Sequence, residues 1–221
     1  MNVTEALLQR KSTRAFLDKA VDRSLIETLL TEASHAPSGT NTQPWQVAVV
    51  SGKQKQDLQT LLEAAFRDGK KANPDYQYYP LEWQSPYKDR RRECGLQMYS
   101  TLDIKRDDKQ KQTDQWAKNF RAFDAPVMLL FFLDPLMQAG SYLDYGMFLQ
   151  SLMLSAEQHG LATCPQAALA DYPEIVKQQL AYDNDSVLLC GMALGYEDKS
   201  ALVNSYRTGR EEVSQFSRFF D

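Results

Sequence analysis

Apolar positions along the chain alternate between helical spacing and continuous short runs. Val3 to Lys11 reads as a short helix opened by Thr4, a good N-cap residue. Asp22 is placed to cap a second helix, in which Leu25, Ile26, Leu29, Leu30 and Ala33 share one face. Gln46 to Ser51 is a short, mostly apolar run, predicted as a buried strand. Lys53 to Asp68 returns to helical spacing, with Leu58, Leu61, Leu62, Ala65 and Phe66 facing inward. Val127 to Leu133 is apolar throughout and predicts a buried strand, as does Val187 to Leu194, interrupted by Gly191. Between them, Tyr142 to His159 predicts a long apolar helix ending at Gly160, a natural residue after a helix C-cap. Tyr172 to Leu180 predicts one more helix.

Residues 70–123 break this rhythm. Asn73 to Lys88 holds Tyr76, Tyr78, Tyr79, Tyr87, Trp83 and three prolines, and two polar helices are expected at Arg90 to Lys105 and Asp107 to Phe123. The segment reads as a helical insert between two strands of one 221-residue domain. The predicted order implies an α+β or α/β sheet covered by helices. The tail from about residue 197 to 221 carries Phe216, Phe219 and Phe220, which suit docking better than solvation. The long helix adds Tyr145, Met147, Phe148, Leu149, Leu152 and Met153, more apolar surface than one core requires, and with the tail this points to a homodimer.

Charge narrows the function classes. The net charge of −4 and a pI near 5.3 argue against a general nucleic-acid binder. No run approaches a membrane span, and Met1 to Glu5 lacks the pattern of a signal peptide. Three widely spaced cysteines, Cys94, Cys164 and Cys190, suggest no disulfide framework. A cytoplasmic protein with reduced thiols is expected, with no membrane or nucleic-acid partner.

The usual catalytic signatures are missing. There is no Gly-x-Gly-x-x-Gly after a strand, no P-loop and no Gly-x-Ser-x-Gly elbow. His35 and His159 stand alone near helix ends, where a C-terminal capping role is expected, and neither has metal-ligand spacing. Cys164 reads as a packed small residue rather than a redox thiol. An enzyme with these residues needs a cofactor for its chemistry and no metal.

Three polar clusters supply a place for one. Arg10-Lys11-Ser12-Thr13-Arg14 puts three cations and two hydroxyls within five positions, as a phosphate requires. Ala36-Pro37-Ser38-Gly39-Thr40-Asn41-Thr42-Gln43-Pro44-Trp45 joins turn formers and free amides to an apolar anchor, and suits a flat heterocycle with polar edges. Tyr206-Arg207-Thr208-Gly209-Arg210 adds two arginines far away in sequence; two such groups can clamp one phosphate dianion.

As an ordered set, these residues resemble the nitroreductase family of FMN-dependent oxidoreductases. Arg-Lys-Ser-Thr-Arg-Ala-Phe is similar to that family's Arg-Arg-Ser-x-Arg-x-Phe, and the Ala36–Trp45 run to its Ala-Pro-Ser-x-x-Asn-x-Gln-Pro-Trp. Phe123-Asp124-Ala125-Pro126 resembles its strand entry, Gly160 to Pro165 its turn after the long helix, and Gly191 to Tyr196 its closing strand. The likeness runs from Arg10 to Arg210. It implies an α+β fold with a mixed sheet flanked by helices, in an intertwined homodimer with two FMN sites. By this resemblance Arg10 and Ser12 hold the FMN phosphate, helped by Arg207 and Arg210, and Arg14 lies near the isoalloxazine edge. Pro37, Ser38, Gly39 and Asn41 come from the other subunit, and Pro165, Gln166 and Ala167 lie beside the ring. Lys11 and Gln43 complete the expected cofactor-binding set. Gln166-Ala167-Ala168 departs from members that carry an acidic residue and a glycine after this proline.

The implied activity is ping-pong hydride transfer from NADH or NADPH, through FMN, to a nitroaromatic, quinone or flavin acceptor. No side chain is expected to act as an indispensable catalytic acid or base. Reductive dehalogenation or flavin fragmentation on the same fold, and a non-catalytic flavin sensor, are the alternatives. NADPH would need a cation for its 2′-phosphate, with Lys70, Lys71, Lys105 and Arg106 as candidates. The Tyr76 to Tyr87 segment is placed either as a roof over the substrate or as a packed surface loop.

Overall fold

The computed structural model describes residues 1–220. Four strands, β1 (Gln46–Ser51), β2 (Val127–Leu133), β3 (Ala162–Gln166) and β4 (Val187–Gly195), form one sheet in the order β1-β2-β4-β3. Every pairing between these strands is antiparallel, so the expected mixed sheet is corrected. The one parallel contact among the described residues is an isolated bridge between Ser12 and Thr163 of β3. β3 itself replaces an expected turn: four of its five residues, Ala162, Thr163, Cys164 and Gln166, are buried, and the strand pairs with β4.

All seven residues of β2 are buried. Side chains along a strand alternate faces. Val127, Leu129, Phe131 and Leu133 enter one apolar layer, while Met128, Leu130 and Phe132 enter the other. The first layer is closed by α2 (Arg23–Ala33) and α6 (Ala139–Gln158), through Ile26, Leu29, Phe148, Leu152 and Ala156. The second is closed by α3 (Gly52–Arg67) and α7 (Pro173–Leu180), through Leu58, Leu62 and Val176. Continuous burial on both faces explains why β2 shows no polar alternation.

Helix ends follow local chemistry. α1 (Val3–Gln9) is opened by Asn2 rather than Thr4: the Asn2 side chain accepts from the Glu5 amide and Glu5 accepts from the Asn2 amide, a capping box. α6 ends in a Schellman motif. Leu161 N–H reaches the Ala156 carbonyl, Gly160 N–H reaches Glu157, and Gly160 takes φ +71°. Tyr145, Phe148, Leu152 and Met153 of α6 are buried in this chain's own core, so they are not the spare apolar surface expected of them; Leu143 and Met147 are the exposed ones.

In the insert, α4 (Tyr87–Thr101) and α5 (Lys109–Ala117) form, and residues 118–124 turn into a 3-10 segment with Ala122 and Phe123 at positive φ. Gly191 does not interrupt β4: a Cβ there would stand 2.5 Å from Leu169 Cδ1, so the glycine admits a close-packed neighbour. α8 (Val213–Phe216) begins the last stretch, where Phe216, Phe219 and Phe220 remain exposed.

Candidate functional site

Two of the three polar clusters meet. Arg10, Ser12, Arg14, Tyr206, Arg207 and Arg210 line a small pocket of about 160 Å³ between the N-terminal segment and the tail. Asn204 arranges it: its side-chain oxygen accepts from Arg14 N–H at 2.8 Å, and its amide donates to Ala15 and Asp198 carbonyls. Arg207 donates to the carbonyls of Gln9 and Arg10 at 2.6 and 2.7 Å, which fixes the two arginines side by side. Burial, then the like charges of Arg210 and Arg207, hold the Arg10 guanidinium below its usual pKa. No carboxylate lines the pocket, and the Tyr206 hydroxyl is buried with no partner. Crowded cations, a hydroxyl from Ser12 and an orphaned phenol are the donor set of an anion site.

Lys11 is the exception within this cluster. Its ammonium pairs with Glu197 at 2.7 Å and donates to the Asn204 carbonyl at 2.6 Å, so it serves the frame of the pocket.

A second cleft, of about 480 Å³, lies further along. Tyr76, Tyr78, Tyr79, Tyr142, Pro165 and Gln166 are among its walls, with Ala167 beside them. β3 links the two places. Ser12 bridges to Thr163, while Pro165 and Gln166 at the other end of the same strand face the cleft. At about 3.3 Å per residue, the three steps from Thr163 to Gln166 span roughly 10 Å. The Gln166 side chain turns away, donating to the Asn119 carbonyl at 2.9 Å, so backbone and the small Ala167 form this wall.

The tyrosine wall is held by contacts that sequence reasoning missed. A register shift between β2 and β4 leaves Leu189 without a β2 partner. Asp75 accepts from Leu188 N–H at 2.8 Å, and Tyr76 O–H donates to the Leu189 carbonyl at 2.8 Å. Tyr76 packs edge-on against Tyr142 of α6, and Tyr78 against Tyr79. A bulge has no signature in a uniformly apolar strand, so nothing in the sequence announced this anchor. Of the Tyr76 to Tyr87 segment, Tyr76, Tyr78 and Tyr79 line the cleft, while Leu81 and Tyr87 lie exposed at the surface.

The Pro37–Gln43 loop lines neither place within the chain. Its Gly39 N–H donates to Asp144 of α6, and Ser38 Oγ accepts from Gln43 N–H at 2.9 Å. Thr40, Asn41 and Gln43 all hold positive φ, a strained turn stabilised by these bonds.

Neither histidine lines the anion pocket or the cleft. His35 is exposed and Ser34 caps α2 instead. His159 meets the Glu32 carboxylate at 3.1 Å, with Ser155 donating to the same group. Burial pushes the Cys164 thiol up to about 11 and Cys190 to about 12, which keeps both protonated and unreactive.

The description of the nitroreductase family matches residues 7–196, which hold the Arg10–Arg14 side of the anion pocket, the loop and the cleft, and end before Tyr206, Arg207 and Arg210. The chain belongs to the nitroreductase family. It is 39% identical over 210 residues to a 4-nitrobenzoate reductase of Pseudomonas putida, covering 95% of this chain and 92% of that protein. Among solved structures it is similar to the FMN and NADPH-dependent nitroreductase NfnB from sphigopyxis sp. strain HMH, with TM-score 0.97, 38% identity and full coverage of both chains. The FMN-dependent nitroreductase NfnB from Mycobacterium smegmatis, in complex with NADPH, superposes with TM-score 0.93 at 32% identity, again over the whole of both chains. No helix among the described residues is long and apolar enough to cross a membrane.

Proposed function

We propose that this protein is an FMN-dependent, NADPH-oxidising nitroreductase that acts on nitroaromatic compounds as a homodimer. One observation carries the reading: a carboxylate-free cationic pocket and an aromatic cleft lie at the two ends of one short strand. A ligand with a terminal phosphate and a flat ring spans that arrangement. The similar proteins named above are a 4-nitrobenzoate reductase and FMN- and NADPH-linked nitroreductases, in agreement with it.

In this reading Arg10, Arg207, Arg210, Ser12 and the Tyr206 hydroxyl hold the phosphate of FMN, and Arg14 lies toward the ring. Bound FMN supplies the two-electron carrier that the side chains lack. Pro165, Gln166 and Ala167 back the ring with main chain and small groups, which leaves its opposite side open to the cleft. The tyrosines exclude water and orient a flat acceptor, a positioning task. The Pro37–Gln43 loop, which lines neither pocket of its own chain, completes the site of a second subunit. The exposed Phe216, Phe219, Phe220, Leu143 and Met147 are the apolar groups such a pairing would cover.

The test is direct. Purified protein is expected to be yellow, to release FMN and not FAD on denaturation, and to elute as a dimer. It should oxidise NADPH when 4-nitrobenzoate or nitrobenzene is added. Colourless protein, FAD, or no turnover with any nitroarene would each overturn the corresponding part.

A further inference from the structure

NADPH and NADH differ only in a phosphate on the adenosine ribose, at the far end from the reactive nicotinamide. If the nicotinamide enters the tyrosine cleft, that phosphate must sit outside it, at or beyond the rim. The candidates expected from the sequence include Lys70, but its ammonium is taken by Glu174 at 2.6 Å. The rim points elsewhere. Tyr79 lines the cleft, its ring centroid lies 5.7 Å from that of Trp83, and the Arg91 guanidinium stands 5.2 Å over the Trp83 ring. This is a continuous path of contacts from the cleft wall to a cation on α4.

Arg91 has company. Lys88, Arg91 and Arg92 are spaced i, i+3, i+4 on α4 and share one face. All three are exposed, and none makes an ion pair among the described residues. Their neighbour Arg90 does, with Glu211 at 2.8 Å, so carboxylates reach this helix where the packing calls for them. Asp89 and Glu93 on the same helix leave the three cations unpaired. In an acidic chain, these three adjacent unpaired charges form a local basic patch, joined to the cleft wall through Arg91 and Trp83.

We propose that Lys88, Arg91 and Arg92 bind the 2′-phosphate of NADPH at the mouth of the tyrosine cleft and set the preference over NADH. The inference rests on the functional reading above. Arginine forks supply bidentate bonds to the phosphate, and Lys88 adds a point charge. Trp83, held under Arg91, keeps that guanidinium oriented.

The experiment uses FMN-loaded wild type, Arg91→Ala and the double variant Arg91→Ala/Arg92→Ala. Steady-state kcat/KM is measured with NADPH and with NADH against 4-nitrobenzoate. Charge-assisted bonds of this kind correspond to roughly 10- to 100-fold in affinity. The double variant should lose about that factor with NADPH and change less than about threefold with NADH, while retaining its flavin. Equal losses with both nucleotides, or none with NADPH, would overturn the proposal. A second measurement needs no turnover. Adenosine 2′,5′-bisphosphate should bind wild-type protein in calorimetry more tightly than 5′-AMP, and the difference should vanish in the double variant. Equal binding of the two by wild type would also overturn it. Absent NADPH oxidation with this binding difference intact would count against the activity and for the phosphate site.

Discussion

Asp75 and Lys177 form an ion pair of 2.8 Å in which the lysine side chain is only 4% exposed. Lys177 also donates to the Asn184 carbonyl, and the second Asp75 oxygen takes the Leu188 amide at the bulge of β4. The pair thus joins α7, the insert and the sheet directly beneath the tyrosine wall. Asp75→Asn leaves a buried ammonium uncompensated and should cost about 2–4 kcal/mol in urea unfolding, with a raised KM for the nitroarene. Adding Lys177→Met should recover part of the stability and little of the KM, because the anchor to Leu188 remains altered.

Arg10→Ala with Arg207→Ala should strip the flavin. Each lost charge-assisted bond to phosphate is worth about 1.5–3 kcal/mol, tenfold or more in affinity. Dialysis followed by absorbance and far-UV dichroism checks this: a folded, colourless protein is expected. A fully yellow double variant would place the phosphate elsewhere.

Gly191→Ala should destabilise by about 1–3 kcal/mol, because the new methyl meets Leu169 Cδ1 at 2.5 Å, Leu169 Cβ at 2.8 Å and the Leu129 carbonyl at 3.1 Å. Leu169 lies just after the Pro165–Ala167 wall, so flavin affinity should fall with it. Pairing the change with Leu169→Ala should relieve the clash, measurable as a partial return of the thermal midpoint.

Asp171 gives a pH signature. Burial pushes its carboxyl up to about 6 from 3.8. The folded state therefore holds a proton that the unfolded chain releases between those values. This contribution to stability is greatest below about pH 4, falls as pH rises through that window, and stays lost above it. Asp171→Asn should stabilise the protein by about 1–2 kcal/mol at pH 7–8 and by almost nothing near pH 4. Thermal melts at the two pH values distinguish this from a pH-independent packing effect.

Much of this was legible in the chain. β1, β2 and β4 showed as apolar runs, and α6 ended at Gly160 as that residue's freedom from a Cβ requires. Arg10, Arg207 and Arg210, far apart in sequence, were read as groups that could meet, and they line one pocket. β3 was hidden because Pro165 and a glycine nearby look like a turn, and its strand character comes from pairing with β4. The role of Lys11 was hidden too: an ammonium beside two arginines reads as a ligand group until Glu197 is brought across by the fold. The Asp75–Tyr76 anchor depends on a bulge, which is a relation between strands and belongs to neither sequence alone.

β3 is an edge of the sheet, and its outer side is nearly covered. Ser12 bridges to Thr163, Thr13 N–H donates to the Thr163 carbonyl at 2.9 Å, and Pro165 offers no amide. Open strand edges recruit further strands and seed aggregates. The segment that carries Arg10, Lys11 and Arg14 therefore also shields this edge from pairing with another strand. Changes to residues 10–13 made to retune ligand affinity will carry a solubility cost of their own, visible as light scattering on heating before any loss of secondary structure.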